Sequence, residues 1–411
     1  MPYHLTLPHR LWRLLPSDRR RRLLAWTSAL GAPTIAATAP VARDGVILAG
    51  EFSRASGLGE SARVMLRAIA SLGVPAWPLD IGPLLPAHTA DLPPPPPATT
   101  SPPPDAALLL HVNAPLLPLV LARLPRALVR GRRVVGVWAW ELPVASPDWR
   151  LGARFVHEAW APSRFAADAL APLVSAGVRV VPVPLAVEPP QPSPLGRADF
   201  GLSDAVLVVL ASFNLASSFE RKNPLGAVAA FRAAFGDRMD RILVLKVGNP
   251  NHWPADFARL VASVAGAPNI RMETRTLSRA DAFALTAAAD IVLSLHRSEG
   301  FGLVPAEAML LNKPVIATGW SGNMDFMDDS SAALVRYRLF AARDARGVYS
   351  VPGAIWAEPE IAHAADWLRR LADDAAARSS LGKAGQAMAQ KHLGTENLAE
   401  ALRALGIGVA S

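Results

Sequence analysis

Short apolar runs alternate along this chain with longer segments whose apolar positions recur at helical spacing, the pattern of an α/β protein with parallel sheets. The first run, Gly45-Val-Ile-Leu-Ala-Gly50, passes through a glycine-bearing turn into a segment that puts Leu58, Ala62, Met65, Ile69 and Leu72 on one helical face. Further strands are predicted over 106–112, 133–138 and 178–183, separated by helices near 115–129 and 163–173. The alternation then repeats, with strands over 206–211, 241–247, 269–273, 291–295 and 314–318 and helices over 224–235, 254–264, 279–288 and 303–310. Two doubly wound, Rossmann-like parallel-sheet domains follow from that repetition.

Prolines mark the joints. Residues 92–104 hold prolines without interruption at 93–97 and again at 102–104, so this stretch can be neither helix nor central strand and reads as a polyproline surface connector. A second cluster, over 182–194, falls between one complete set of strands and the next and reads as the hinge. The chain divides accordingly into a basic N-terminal extension (1–40), a first domain (41–190), a second domain (191–375) and C-terminal helices (376–411), with the option that the last cross back to the first domain.

Composition narrows the chemistry. With 51% apolar and 18% charged residues in 411, there is material for buried cores and little sign of global disorder. The absence of cysteine excludes disulfides, thiolate nucleophiles and cysteine-ligated zinc, and fits a reducing, cytoplasmic setting. A formal charge of +8 favours anionic partners, but charge alone does not choose among nucleotide phosphates, acidic lipid and nucleic acid. In the first forty residues, Arg19 to Arg22 precede an apolar stretch that ends in Ala37-Thr38-Ala39, a weak signal-peptide pattern. Thr27, Ser28, Pro33 and Thr34 interrupt that stretch, which falls short of the ~20 apolar residues of a membrane span. The functional reading preferred over export is a basic arm: Arg10, Arg13 and Arg19 to Arg22, interleaved with Leu11, Trp12, Leu14 and Leu15, resting peripherally on an anionic membrane surface. A solvated extension is the alternative.

The most informative stretch is Ser294-Leu-His-Arg-Ser-Glu-Gly-Phe-Gly-Leu-Val-Pro-Ala-Glu-Ala-Met309, which leads from a buried strand through a two-glycine loop into a helix. Loops after the carboxyl ends of parallel strands are where such folds bind ligands. Gly300 and Gly302 leave backbone amides open, and the helix that begins at Leu303 points its positive end at the loop, which suits a phosphate or an electron-rich sugar oxygen. Glu299 precedes the turn and Glu307 lies inside the helix, with seven residues between them, so the two carboxylates can reach different parts of one elongated ligand.

In this stretch, in Lys313-Pro-Val-Ile-Ala-Thr318 and in the Gly319-Trp-Ser-Gly322 turn, the chain resembles family four of the retaining glycosyltransferases, in particular bacterial enzymes of lipopolysaccharide and exopolysaccharide synthesis. The looser resemblance runs from about Gly45 to the last helices. It implies the GT-B fold, two Rossmann-like domains facing a cleft, the first on the acceptor side and the second holding a nucleotide-sugar donor. It implies that Glu299 contacts the transferred sugar, that Gly300, Phe301, Gly302 and Leu303 border the donor, and that Glu307 takes the ribose hydroxyls.

Other elements fit that frame. Asn214 ends a strand and is expected beside the donor, and Arg221-Lys222-Asn223-Pro224 opens a helix where two cations can neutralise a diphosphate leaving group. Lys222 matches the lysine of the resembling family, whereas its usual arginine position falls near 214–217; either Arg221 substitutes or backbone amides carry more of the diphosphate. Gly57 and Gly59 open the first helix in a spacing that is not a NAD fingerprint, and the resemblance puts them against the donor diphosphate. His111 ends a strand, where the choice lies between a core histidine and a sugar-binding one. Glu141, in Trp138-Ala-Trp-Glu-Leu142, could face the acceptor or the sugar, and His296 is as readily structural as ligand-facing. No Asp-x-Asp, zinc-type histidine cluster or Walker sequence occurs, so no metal or other cofactor is expected. The expected partners are a nucleoside diphosphate sugar and a glycan or lipid-linked acceptor, not nucleic acid. A nucleotide-sugar epimerase and a non-catalytic sugar-nucleotide binder are the rival readings.

Overall fold

The computed structural model describes residues 17–85, 91–173 and 178–409; Arg10, Leu11, Trp12, Arg13, Leu14 and Leu15 of the basic arm lie outside them. The first sheet contains β1 (Val46–Gly50), β2 (Ala76–Asp80), β3 (Ala107–His111), β4 (Val134–Val137), β5 (Glu158–Ala161) and β6 (Arg179–Pro182), all parallel, in the order β2-β1-β3-β4-β5-β6. The second contains β7 (Leu207–Asn214), β8 (Arg241–Gly248), β9 (Ile270–Glu273), β10 (Ile291–Ser294), β11 (Val315–Thr318) and β12 (Ala333–Val335), also parallel, in the order β12-β11-β10-β7-β8-β9. Each order reverses once, at β1 and β3 in the first sheet and at β7 and β10 in the second. A doubly wound sheet opens a crevice at that reversal, and the strand ends there are Gly50, His111, Asn214 and Ser294.

Two strands of the first sheet have no counterpart in the sequence reading. β2 reads Ala-Trp-Pro-Leu-Asp and is only partly buried; it is an edge strand, where the missing amide hydrogen of Pro78 is tolerated. β5 begins with Glu158, whose buried carboxylate is neutralised by Arg133 at 2.9 Å and accepts from the Trp160 indole at 2.7 Å. The expected helices over 224–235, 254–264, 279–288 and 303–310 are present over Pro224–Phe235, Pro254–Val264, Arg279–Ala288 and Leu303–Leu310. The proline connector is pinned to the first sheet by Arg132, which donates to Pro103 O and, at 3.1 Å, to Ala106 O.

A short antiparallel hairpin, β13 (Tyr337–Ala341) and β14 (Ile355–Pro359), belongs to neither large sheet. The helix Ile361–Asp373 packs on Pro224–Phe235, and the last helix, Glu396–Leu405, returns to the first domain. Its Leu398, Leu402 and Leu405 share one apolar cluster with Ala42, Val46 and Leu48, and the Ala42 amide donates to Leu405 O at 3.0 Å. At the other end of the chain, Ser17–Gly31 forms a helix against Leu117–Arg123, with Arg22 paired to Asp148 at 2.8 Å. Among the described residues no helix is long and apolar enough to cross a membrane.

Candidate functional site

The loop after β10 is shaped by residues that only a tight backbone accommodates. Gly302 caps the helix Leu303–Leu310 at φ 101°, in the left-handed region where any other residue is strained. Gly322 lies so close to the loop that a Cβ there would stand 2.4 Å from Gly300 O. The Glu299 amide donates to Ser321 Oγ at 2.8 Å and the Gly322 amide to Glu299 O at 2.9 Å, which fixes the backbone of the first glutamate. Phe301 is buried against Phe326. Facing this loop, the Arg-Lys-Asn-Pro turn after β7 is set by Asn223. Its side chain donates to Leu295 O at 2.9 Å and accepts from the Gly226 amide at 3.2 Å.

These two loops meet at Glu299, which is 8% exposed. One carboxylate oxygen takes Arg221 Nη1 at 3.1 Å and the other takes Lys222 Nζ. The cations differ in what else they do. Lys222 lines a narrow cleft together with Ser212, Phe213, Ser294, Glu299 and Val304. Arg221 is 3% exposed and stands behind the carboxylate, with Nη1 also on Ser298 O at 2.8 Å and Nη2 on Ser217 Oγ at 2.7 Å and 3.6 Å from Glu141. Burial works against the Glu299 charge, but Lys222 and Arg221 outweigh it and hold the carboxyl down to about 2. Burial lowers Lys222, with Glu299 opposing. Burial also acts against Arg221, yet Tyr349, Glu141 and Glu299 around it push its pKa further up.

Glu307 sits a helix turn and more away and takes no part in that array. It faces Glu60 from the first domain, with Arg279 and Arg67 close by; burial first and Glu60 second push it up to about 8 against the two arginines. Its sign is opposite to that of Glu299. A carboxyl protonated in the folded chain and ionised in the unfolded one loses stability as pH rises from its ordinary value of 4.5 to about 8. Glu307→Gln is therefore expected to gain melting temperature over wild type as pH rises through that window. A gap that stays constant between pH 5 and pH 8 in thermal scans would contradict the assignment.

The first domain closes over the site from the other side. Ser56 caps the helix Gly57–Ser71 by accepting from the Gly59 amide at 3.0 Å. Gly59 is obligatory there, since a Cβ would meet Arg54 O at 2.5 Å, whereas Gly57 faces open space. Asn214 does not stand free in the crevice: its Nδ2 donates to Ala55 O at 2.9 Å, as does Asn249 at 3.0 Å, so it ties the second domain to the glycine turn of the first. His111 is buried at the end of β3, with Nδ1 unpartnered, and burial lowers its pKa to about 3. His296 has both ring nitrogens engaged, with Ser294 Oγ and Asn323 Oδ1 each at 3.0 Å, as a structural residue would. Glu141 lies beside Gly300, where a Cβ would come within 3.5 Å of its Cγ, and accepts from Tyr349 Oη at 3.0 Å. Sequence reasoning missed Tyr349, an isolated aromatic in a loop between two weak strands, and Glu60, Arg67 and Arg279, whose meeting depends on how the domains pack. Among the described residues no group of three or more His, Asp or Glu is placed to hold a metal ion.

The GT-B arrangement is shared with solved structures. A point mutant of S. aureus TarM in complex with fondaparinux, α-GlcNAc-glycerol and UDP matches at TM-score 0.54 and 11% identity over 73% of this chain and 55% of its own. Anabaena HepE in complex with UDP-glucose matches at 0.58 and 16% over 88% and 99%. The pneumococcal O-GlcNAc transferase GtfA with UDP and GlcNAc matches at 0.50 and 14% over 73% and 56%. The chain thus spans little more than half the length of TarM and GtfA, and these likenesses speak for the fold. No curated protein sequence matches the chain. The family model described as Family 4 Glycosyltransferase in conflict systems matches residues 186–402, more than half of the chain and all of β7 to β14, and the chain belongs to that family.

Proposed function

We propose that the protein moves a hexosyl unit from a nucleoside diphosphate sugar to a hydroxyl of a glycan or lipid-linked glycan, with retention of configuration and without a divalent metal. The observation that carries this reading is the position of Glu299 between Lys222 and Arg221 at the wall of the cleft, next to a glycine loop at a helix N-terminus. Lys222 faces the cleft and serves the diphosphate, where negative charge grows as the glycosidic bond breaks. Glu299 accepts hydroxyl hydrogen bonds from the sugar, and Glu307 does the same for the ribose. The acceptor oxygen bonds to the anomeric carbon on the face that the diphosphate leaves. The acceptor proton passes to the departing phosphate oxygen, so no protein nucleophile is needed. TarM, GtfA and HepE are in complex with UDP or UDP-glucose, which makes uridine the first base to try.

The test is incubation with UDP-, GDP-, ADP- and dTDP-glucose, with and without acceptor sugars, and the mass of the products. Transfer or slow hydrolysis supports the reading; a changed sugar nucleotide formed without acceptor would identify an epimerase instead. The same assay in excess chelator is expected to keep its rate. A loss restored by magnesium or manganese would refute metal independence.

A further inference from the structure

The segment that joins β13 to β14, residues 342–354, is fixed to both domains. On the second domain, Asp344 accepts from Ser218 Oγ at 3.2 Å, and Arg346 donates to Ser217 O at 2.5 Å and to the Asp256 carboxylate at 2.6 Å. Ser217 and Ser218 immediately precede the turn that carries Arg221 and Lys222. Asp344 also folds the loop back on itself by accepting from the Val348 and Tyr349 amides at 2.8 and 3.3 Å. On the first domain, Tyr349 and Trp356 are buried in the same apolar cluster as Trp138, Trp140 and Trp149. The Tyr349 ring lies 5.5 Å from Trp140 and 5.7 Å from Trp356, and the Arg221 guanidinium stands 5.7 Å from its centroid. All this anchorage delivers one hydroxyl, which donates to Glu141 Oε2.

A buried phenol needs an acceptor, but packing alone gives no reason for that acceptor to be a carboxylate beside Gly300 and Glu299. Among the described residues, Arg221 contacts Glu141 at Oε1 and Tyr349 contacts it at Oε2, and the charge of Lys222 acts on it as well. Without the hydroxyl, the carboxylate would be left with the charge attraction of Arg221, at 3.6 Å, and of Lys222, neither of which fixes its orientation. We propose that Tyr349 is a positioning residue: it orients Glu141 toward the acceptor hydroxyl that attacks the sugar held by Glu299, which makes the inserted hairpin part of the reaction site. Glu141 accepts a hydrogen bond from the acceptor and keeps no proton. This rests on the glycosyl-transfer reading above.

The test compares Tyr349→Phe, Glu141→Gln and the double variant, with UDP-, GDP-, ADP- and dTDP-glucose as probes. Phenylalanine keeps the ring stack, so the melting temperature should stay within about 2 °C and the affinity for the bare nucleoside diphosphate within about twofold. Donor turnover, with water or sugar as acceptor, should fall about tenfold. The double variant should be no slower than Glu141→Gln alone, because both act through one carboxylate. Wild-type turnover in Tyr349→Phe, or losses that multiply in the double variant, would overturn the assignment alone. A wild-type protein that neither binds nor cleaves any of the four donors would overturn the functional reading and this assignment with it.

Discussion

Arg221→Met should lower the melting temperature by roughly 10 °C, the largest stability effect expected at any single position of the site. The guanidinium is 3% exposed and serves Ser298 O, Glu299, Ser217 Oγ and Glu141 from one plane. Methionine fills much of the volume but leaves Glu299 with Lys222 alone of its two paired cations and takes from Glu141 the cation that contacts it at 3.6 Å. Removing one member of a buried charge array typically costs about 3–5 kcal/mol, and a domain of this size loses about 2–4 °C for each. Lysine should not restore the loss, because a point charge on a flexible stem cannot meet four acceptors set for a planar fork. Lys222→Ala makes the contrast: Lys222 lines the open cleft, so its loss should weaken nucleoside diphosphate binding with a much smaller thermal shift. Thermal scans and calorimetric titration of the two variants decide the matter. Equal thermal shifts would mean that the cations do not divide their work as described.

Glu299→Gln is expected to reduce turnover by about a hundredfold or more while leaving the affinity for bare nucleoside diphosphate nearly intact. The carboxylate would touch the donor only through its sugar, so the nucleotide alone should not register the change. Glu307→Gln should do the opposite and weaken the bare nucleotide as well as the donor. Titration of both variants with the nucleotide and with the sugar nucleotide tests the division; equal losses of bare nucleotide affinity would sink it. The pH dependence gives a second check. A carboxyl held at about 2, against an ordinary 4.5, stabilises the fold above the higher value, and that stability is lost as pH falls toward the lower. Glu299→Gln should therefore show a shallower acid limb than wild type between those values.

Much of this was legible in the sequence, for identifiable reasons. The second domain follows the rules closely: apolar runs make its central strands, and the helices expected from 224, 254 and 279 begin at Pro224, Pro254 and Arg279. The spacing of Glu299 and Glu307 around Gly300 and Gly302 points to the loop from the sequence alone. What escaped was whatever depends on neighbours. β2 contains a proline that only an edge position permits, and β5 contains a glutamate that only Arg133 and Trp160 make tolerable. Arg221 and Lys222 are adjacent in sequence and both basic, so nothing local distinguishes the buried one from the one at the cleft. Asn214, expected beside the donor, is occupied by Ala55 of the other domain. Tyr349 had no signal at all, since its meaning comes entirely from a carboxylate some two hundred residues earlier.

The return of the last helix to the first domain bears on how the chain comes to be folded at all. Leu398, Leu402 and Leu405 cover Ala42, Val46 and Leu48, and Gly406 approaches Ala42 so closely that a Cβ would meet its carbonyl at 2.6 Å. During synthesis the first domain emerges long before these residues exist, with that patch of its core bare to water and to other chains. Its completion must wait for residues 396–407 to leave the ribosome, whereas the second sheet can close as soon as β12 is made. The later half of the polypeptide is thus in a position to become native first, and the earlier half is finished from its far end.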